Sequence, residues 1–190
     1  MTITNGYSAL SDLQIRIGDA STSTTNQAMI EDAIENASRI IDDYTNSFFY
    51  TKALTDEYID ASGISDNGLY MSPNLDRIYA PAPIISVTSI SEDGAILVKN
   101  SDYYIYKTGY LLRNGNWSST IRGIIFNGSI GYSAAPRSIK EACVTLAIGI
   151  ARLGKRALMD ENGGLQGLIQ DNSIPKWVWN VLDRYKRIYT

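Results

Sequence analysis

The stretch ISVTSISEDGAILVKNSDYYIYKTGYLLRNGNW, from Ile85 to Trp117, alternates short strand-forming runs with turn signals. ISVTSI, AILV, YYIY and YLLR are rich in the β-branched, aromatic and aliphatic residues that suit a pleated surface. Asp93–Gly94 and Asn114–Gly115 are pairs that tolerate the positive φ of tight hairpins. The stretch therefore predicts a small antiparallel sheet built from hairpins.

Strand signals extend on both sides of this stretch, so we expect a β-region over residues 51–133. LTDEYIDA and GLYMS precede it as short strands, and STIRGIIFN follows it. Pro73, Pro81 and Pro83 punctuate the chain between these runs, because proline favours an extended residue before it. The β-region thus forms the middle of the chain.

Residues 1–50 carry helical patterns. Ser8 can cap a short helix that runs to about Ile17, where Gly18 suits a helix end. Thr24 and Gln27 have the spacing of a capping box and predict a second helix to about Thr45. Apolar residues of this second helix recur at helical spacing on one face; they are Ile30, Ala33, Ile34, Ala37, Ile40, Ile41 and Tyr44.

The chain ends in helical patterns as well. Pro136 suits the first turn of a helix over residues 134–154, and this helix is apolar nearly all round, which predicts burial. We expect Gly154 to end it and a flexible Gly- and Asn-rich loop to span 155–174. A last helix, over 175–190, begins at Pro175. The prediction is an α+β fold in a single domain, residues 1–190, with a central small antiparallel sheet between N-terminal and C-terminal helices.

The composition of the chain bounds its chemistry. Its 190 residues carry 17 Lys and Arg against 20 Asp and Glu, so the net charge is −3. Dedicated nucleic-acid binders normally show a basic excess that neutralises phosphates, so this class is disfavoured. The first residues lack the pattern of a signal peptide. The longest apolar run, VTLAIGIA, is too short to span a membrane, and we expect no membrane association.

The sequence offers few catalytic groups. It contains no histidine and one cysteine, which excludes Ser-His-Asp and Cys-His catalysis, histidine-containing zinc sites and a thiolate cage. Cys143 lies on the apolar face of a predicted helix, so we expect it in the core. Carboxylate pairs remain open, because glycoside hydrolysis needs two acids. Glu57 and Asp60 are the candidates for that alternative, although ordinary solvated surface acids explain them better.

Thirteen tyrosines distinguish this sequence. In YYIY, Tyr103 and Ile105 point to one face of a strand, while Tyr104 and Tyr106 point to the other. Both faces therefore carry large side chains, whereas a monomeric hairpin usually has one polar face. Tyrosine also simply suits strands, so the alternatives are strand filling and a face that meets another subunit.

The last predicted helix raises the same alternatives. Its main apolar stripe is flanked by Trp177 and Trp179, and buried tryptophan and tyrosine often dominate binding energy. The helix either packs on its own subunit or docks on a partner. Catalytic, cofactor and metal sites are not predicted. The candidate interface residues are Tyr103, Tyr104, Tyr106, Tyr110, Trp117, Trp177, Trp179, Tyr185, Arg187 and Tyr189.

The order of these segments resembles the head–tail connector (adaptor, or head-completion) proteins of tailed bacteriophages. Such chains open with two helices, continue with a Pro-Ile strand, a DG turn, a D-Y strand and a G-Y pair, and end in a helix after a proline. Gly128 departs from the pattern, since that strand often carries an aromatic residue. The matching positions are Leu10, Leu13, Tyr44, Phe48, Phe49, Pro83, Ile84, Asp93, Gly94, Asp102, Tyr103, Gly131, Tyr132 and Pro136.

This resemblance implies a structural protein of the virion neck that assembles in the host cytoplasm. It would form a ring, usually of twelve copies, beneath the portal protein. The ring would extend the DNA channel without sequence-specific contacts and provide the docking surface for a stopper or tail-completion protein. No cofactor and no turnover are implied. The alternatives are a carboxylate-dependent phage glycan hydrolase and another small tail or capsid subunit.

Overall fold

The computed structural model describes residues 3–17, 24–61, 63–157 and 174–187. Helices and antiparallel strands make up this part of the chain, so the predicted α+β class is confirmed. The chain divides into two compact units. Residues 1–47 and 135–190 form unit 1, and residues 48–134 form unit 2.

Unit 1 is helical. Its described helices are α1 (Leu10–Ile17), α2 (Thr24–Thr45), α3 (Arg137–Ala157) and α4 (Lys176–Asp183). The second helix packs along the third, and α1 and α4 each contact both of them. No helix in the described residues is long and apolar enough to cross a bilayer.

The core of unit 1 comes from the predicted apolar faces of α2 and α3. Ile34, Ala37 and Ile41 of α2 are fully buried, as are Ala142 and Cys143 of α3. Alanines at these positions allow two helix backbones to approach closely, which lets the larger side chains interdigitate. Among the described residues of the unit, the other buried apolar ones are Tyr7, Leu13, Ile30, Ala33, Ile139, Val144, Leu146, Ala147, Ile174, Val178 and Leu182.

Three helix predictions need correction. The third helix continues through Gly154 to Ala157, because a glycine inside a helix costs about 1 kcal/mol, which packing along the rest of a long helix can offset. The last helix ends at Asp183, short of the predicted terminus. The first begins at Leu10, where the amide of Ala9 donates to the Asp12 carboxylate. Most of the predicted loop over 155–174 lies outside the described residues.

Unit 2 holds two sheets where the sequence predicted one. One sheet has the order β1-β8-β4-β5 and the other β2-β3-β7-β6, with every neighbouring pair antiparallel. The strands are β1 (Thr51–Ile59), β2 (Tyr70–Met71), β3 (Arg77–Tyr79), β4 (Ile84–Glu92), β5 (Ala95–Ile96), β6 (Tyr103–Tyr106), β7 (Tyr110–Arg113) and β8 (Ile124–Gly131).

The two predicted Asp-Gly and Asn-Gly turns have different roles in the two sheets. Asp93 and Gly94 have φ of 49° and 84° and join β4 to β5 as predicted. Asn114–Gly115 is not a hairpin, because β7 pairs with β3 and β6, whereas β8 pairs with β1 and β4. The segment after Asn114 therefore carries the chain from one sheet to the other.

Both sheets contribute side chains to one apolar core. Phe126 and Ile124 of β8 and Leu111 of β7 are fully buried in it. Buried and half-buried residues alternate along the first half of β8, as the two faces of a strand require. Its remaining members are Leu54, Ile59, Leu69, Met71, Ile78, Ala80, Ile84, Ile90, Tyr103, Trp117 and Ile130.

Candidate interface surfaces

A row of four tyrosines crosses the second sheet of unit 2. Tyr70 of β2 lies opposite Tyr79 of β3, Tyr79 lies opposite Tyr110 of β7, and Tyr110 lies opposite Tyr106 of β6. Neighbouring strands lie about 4.8 Å apart, so residues at equivalent register positions bring their rings into contact. We call this row the tyrosine ladder.

The rings of the ladder contact one another along the row. The ring centroids of Tyr106 and Tyr110 are 4.4 Å apart with planes 10° apart, and those of Tyr70 and Tyr79 are 5.0 Å apart with planes 16° apart. The Tyr79 and Tyr110 centroids are 5.9 Å apart at 45°. Each such pair contributes about 0.5–1.5 kcal/mol beyond area burial. The contacts order the four rings within the single chain.

A second row on the same face consists of Tyr104, Leu112 and Arg77, which are also cross-strand neighbours. The guanidinium of Arg77 lies 5.6 Å from the centroid of the Tyr110 ring and donates a hydrogen bond of 3.4 Å to the Tyr79 hydroxyl. That hydrogen bond raises the pKa of Arg77. We call the ladder together with these three residues the tyrosine face.

The tyrosine face is open to solvent at one side. Tyr104 and Tyr106, on the edge strand β6, are each 42% exposed. Large amphipathic rings that are already ordered lose little conformational entropy on binding. This face therefore has the chemistry of a protein–protein contact surface.

Two of the predicted interface residues lie in the core of unit 2 instead. Tyr103 and Trp117 are 4% and 2% exposed, and burial raises the pKa of Tyr103. Arg113 lies with its guanidinium 5.6 Å from the Trp117 ring centroid and pairs with Glu92 at 2.8 Å. In the described chain these rings therefore fill space and cover an ion pair.

A second exposed surface lies on the first sheet. Ile96 and Val98, in and just beyond β5, are 77% and 61% exposed. The turn that precedes them carries the exposed residue Asp93. We call residues 93–98, the end of the β4–β5 hairpin, the apolar hairpin. Exposed residues of this kind, when grouped, mark contact sites more often than single ones do.

The last helix packs mainly on its own unit. Val178 and Leu182 are fully buried. The ring of Trp179 lies 5.0 Å from that of Tyr44, centroid to centroid, and the Tyr44 hydroxyl donates to Asp183 at 2.6 Å. This hydrogen bond raises the pKa of Tyr44. Packing on the host subunit thus accounts for most of the predicted stripe.

The remaining interface candidates lie in α4 or just after it, and they differ in their surroundings. Trp177 is 41% exposed. The hydroxyls of Tyr185 and Ser138 are 3.1 Å apart, and the backbone amide of Arg187 donates to the Thr45 carbonyl at 2.8 Å. Tyr189 lies outside the described residues. Trp177 is therefore the tryptophan of this helix that a partner can reach.

The two candidate acids of a hydrolase hold the backbone together in this structure. Glu57 is buried on β1 and accepts hydrogen bonds from the backbone and side-chain amides of Asn67. Asp60 accepts a hydrogen bond from the amide of Arg122. Both carboxylates therefore fasten loops to β1, and a structural role accounts for them.

A polar cluster in unit 1 ties the N-terminal segment to α2. The Tyr7 hydroxyl donates to Asp42, and the Tyr7 amide donates to the Ser38 hydroxyl at 3.1 Å. Burial raises the pKa of Asp42 to about 6, against the opposing effects of Tyr7 and Arg39. Cys143 is fully buried, so its predicted core position is confirmed, and this burial raises the pKa of its thiol.

Metal-ligand clusters were not predicted. Within residues 3–17, 24–61, 63–157 and 174–187, no group of three or more Cys, Asp or Glu side chains is placed to hold a metal ion. The exposed features that stand out in the described residues are the tyrosine face, the apolar hairpin and Trp177, and they are candidate contact surfaces.

The fold of this chain was compared with solved structures. The fold is similar to that of a chain in gene transfer agent particles. A chain from the virion of a native gene transfer agent particle matches with a TM-score of 0.58 at 13% identity. The match covers 100% of this chain and 94% of that chain.

Two further matches come from particle necks. A chain in the neck of an empty gene transfer agent particle, computed with C6 symmetry, gives a TM-score of 0.56 at 15% identity. A chain in the neck of a native particle, computed with C12 symmetry, gives 0.52 at 13% identity. Each match again covers 100% of this chain and 94% of the other. No family model and no curated protein matches the sequence.

Sequence reasoning found half of the tyrosine ladder. It named Tyr106 and Tyr110 but not Tyr70 and Tyr79, because β3 was taken as a proline-punctuated connection. The available signal was alternation: in RIYA, apolar Ile78 lies between Arg77 and Tyr79, which is the period of a strand with one buried face. The apolar hairpin was predicted as a hairpin but not as a contact surface.

Proposed function

We propose that this protein is a structural subunit of the neck of a phage-like particle. One observation carries the proposal: the fold matches neck and virion chains over the whole length of this chain and nearly all of theirs. The surfaces agree with it. A subunit held between neighbours needs ordered contact faces, and the tyrosine face and the apolar hairpin provide them.

In its finer form, the proposal is a head–tail adaptor in which residues 1–190 act as one connector domain. Copies form a ring, of about twelve by the resemblance noted above, beneath a portal protein, and the ring presents a surface to a stopper or tail-completion protein. Two similar chains sit in necks computed with C6 and C12 symmetry, which supports a cyclic arrangement. Trp177 is the candidate contact of α4 with the portal.

The charge of the chain suits a channel for DNA. With 17 basic and 20 acidic residues, a ring of many copies carries a net negative charge and repels a sliding polyanion. The ring would guide DNA without gripping it. In this proposal the protein carries out no turnover and needs no cofactor.

Imaging of particles tests the proposal directly. Particles would be purified with a tag on this chain, decorated with an antibody fragment against the tag, and viewed by electron microscopy. We expect decoration at the junction of head and tail. Decoration along the tail or over the capsid would instead indicate a tail or capsid subunit. Absence of the tagged chain from purified particles would overturn a structural role.

Native mass spectrometry tests the finer form. The chain would be measured alone and after mixing with the portal protein of its own particle. We expect the mixture to yield a complex in which each portal ring carries several copies of this chain, always in the same number. A Trp177→Ala variant should reduce its occupancy, whereas Ile15→Ala, at a residue 80% exposed on α1, serves as the matched control. Equal occupancy for both variants would remove Trp177 from the portal contact.

A further inference from the structure

We propose that Asn114–Gly115 is a site of spontaneous deamidation and that the reaction loosens the segment linking the two sheets of unit 2. The backbone nitrogen of Gly115 attacks the side-chain carbonyl carbon of Asn114. A C–N bond forms, and the side-chain nitrogen leaves as ammonia with the proton of the Gly115 amide. Water then opens the succinimide ring to give aspartate or isoaspartate. Water is the only co-reactant, and the reaction in the free subunit does not depend on the proposed function.

The sequence contains several pairs of this kind. An asparagine followed by glycine reacts readily, because glycine has no Cβ to hinder the approach of its backbone nitrogen. Sequence alone does not rank the asparagines that precede a glycine, which are Asn5, Asn67, Asn114, Asn127 and Asn162. Asn162 lies outside the described residues. The structure distinguishes the other four by how firmly it holds the reacting groups.

The pair at Asn67 is held on both sides of its peptide bond. Glu57 accepts hydrogen bonds from the backbone and side-chain amides of Asn67. The Gly68 amide, which would have to attack, donates to the Ser65 carbonyl at 2.9 Å. Both reacting groups therefore have partners, and attack requires this loop to open first.

The pair at Asn127 lies in a central strand. Gly128 belongs to β8, which has β1 on one side and β4 on the other. The side-chain oxygen of Asn127 accepts a hydrogen bond from the Asp56 amide at 2.8 Å. A Cβ at Gly128 would lie 2.4 Å from the Ser86 carbonyl oxygen. The backbone at this point therefore has no room to rotate toward the side chain.

The pair at Asn5 is fastened to α2, although Asn5 itself is exposed. Arg39 donates to the Asn5 carbonyl at 3.1 Å. Gly6 packs so closely that an added Cβ would lie 3.2 Å from Ile34, and the next residue, Tyr7, is buried. The peptide that must rotate for attack is thus held on both sides.

Asn114 and Gly115 combine exposure with open surroundings. Both are exposed, and so is Asn116 after them. A Cβ at Gly115 would meet nothing within 4 Å, and the backbone hydrogen bonds of the described turns and loops do not involve its amide. The Asn114 side chain donates to the Ser101 carbonyl at 3.1 Å, but exposed neutral hydrogen bonds exchange readily with water. Of the four described pairs, this one is the least restrained.

The reaction removes an attachment of the linking segment. Asn114 fastens the start of this segment to the connection between β5 and β6. Its backbone amide donates to the Asp102 carbonyl at 2.8 Å, and its side-chain amide donates to the Ser101 carbonyl. A carboxylate has no hydrogen to donate to that carbonyl and repels its oxygen. Isoaspartate also adds a methylene group to the main chain, so every product loses the side-chain hydrogen bond.

Peptide mass spectrometry of the full chain tests the site. The protein would be incubated at mildly alkaline pH and digested at acidic pH, where the reaction is slow. Asn114 should deamidate at least about tenfold faster than Asn5, Asn67 or Asn127, because those pairs react only after local opening. In guanidinium chloride all four should react at similar rates. A folded-state rate at Asn114 no higher than at one of the others would overturn the assignment, as would an excess at Asn114 that persists in denaturant.

Hydrogen exchange tests the loosening. Asn114→Asp carries the charge of the product. After correction for intrinsic rates, it should raise the exchange rate of its own backbone amide about fivefold, the equivalent of one lost hydrogen bond. Asn116→Asp adds the same charge at a nearby exposed position and is the matched control, which should leave the exchange rate at Asn114 unchanged. Equal rates at position 114 in the two variants would overturn the proposed loosening.

Discussion

At the scale of single residues, the carboxyl group of Asp42 lowers the free energy of unfolding by an amount that depends on pH. It lies mostly out of water on α2, and burial raises its pKa from 3.8 to about 6. The Asp42 carboxyl group therefore binds its proton more tightly in the folded state than in the unfolded state. The charged carboxylate opposes folding at pH values above 6, and the penalty fades as the pH falls toward 4.

We therefore expect Asp42→Asn to stabilise the protein at pH 8 and to change its stability less at pH 4. The gain at pH 8 should be about 1 kcal/mol, since partial exposure screens the full effect of the shift. Urea unfolding at the two pH values measures it. Asp43→Asn, at the exposed neighbouring position, is the control, and an equal gain for Asp42→Asn at both pH values would contradict the assignment.

Gly131 marks a place where the backbone leaves no room for a side chain. Its φ is +109°, and a Cβ there would lie 1.9 Å from the carbonyl oxygen of Tyr50. Gly131→Ala should lower the free energy of unfolding by at least about 2 kcal/mol, because both strain and a backbone clash act at once. Thermal unfolding tests this expectation. Gly63→Ala, where the added Cβ meets open space, should change stability little; a similar loss at both sites would show that sterics are not the cause.

At the scale of elements, the tyrosine ladder should stabilise the second sheet as well as offer a surface. Tyr79 contacts rings on both sides, so Tyr79→Ala should cost about 1–2 kcal/mol from two lost aromatic pairs. Tyr79→Phe keeps the rings and should cost less than about 0.5 kcal/mol for the exposed hydroxyl.

Chemical denaturation of both variants checks the ladder prediction. Tyr106→Ala and Tyr104→Ala form the matched pair, because both rings are 42% exposed on β6 and only Tyr106 stacks in the ladder. Equal losses for these two variants would mean that ring contacts contribute nothing beyond burial.

Local patterns predicted the elements better than their pairing. The period of α2 and the Asp93–Gly94 turn each depend on neighbours in sequence, and both are confirmed. The division into two sheets depends on which distant strands pair. Strand β7 pairs with β3, far earlier in the sequence, and not with β8, which follows it. Such pairing is decided by how side chains fill the shared core, which a single strand does not encode.

The faces of β6 show the same limit for the candidate surfaces. Strand alternation correctly placed Tyr103 and Ile105 opposite Tyr104 and Tyr106. It did not say which face is buried, and Tyr103 proved to be core while Tyr106 is exposed. Trp117 was also named for an interface, yet it lies under Arg113 in the core. The side of a strand that meets solvent is set by tertiary packing.

At the scale of the whole molecule, the balance of charge predicts weak binding to DNA. With a net charge of −3, the chain lacks the cationic excess that gives non-specific binders dissociation constants of about 10⁻⁴–10⁻⁶ M. We expect no saturable binding of duplex DNA in that range at physiological salt, measured by fluorescence anisotropy. Tight binding that weakens steeply with added salt would contradict the proposed channel that repels DNA.

The division of the chain also determines when each unit can fold during synthesis. Unit 2 is continuous, whereas unit 1 is assembled from segments on either side of it. On the ribosome, α2 emerges with Ile34 and Ile41 uncovered and must wait until all eight strands have been translated before α3 arrives to cover them. Unit 2 can fold in that interval, since nascent domains fold as units. Slowing translation between residues 135 and 157 should therefore prolong the exposure of α2 and increase aggregation of the newborn chain.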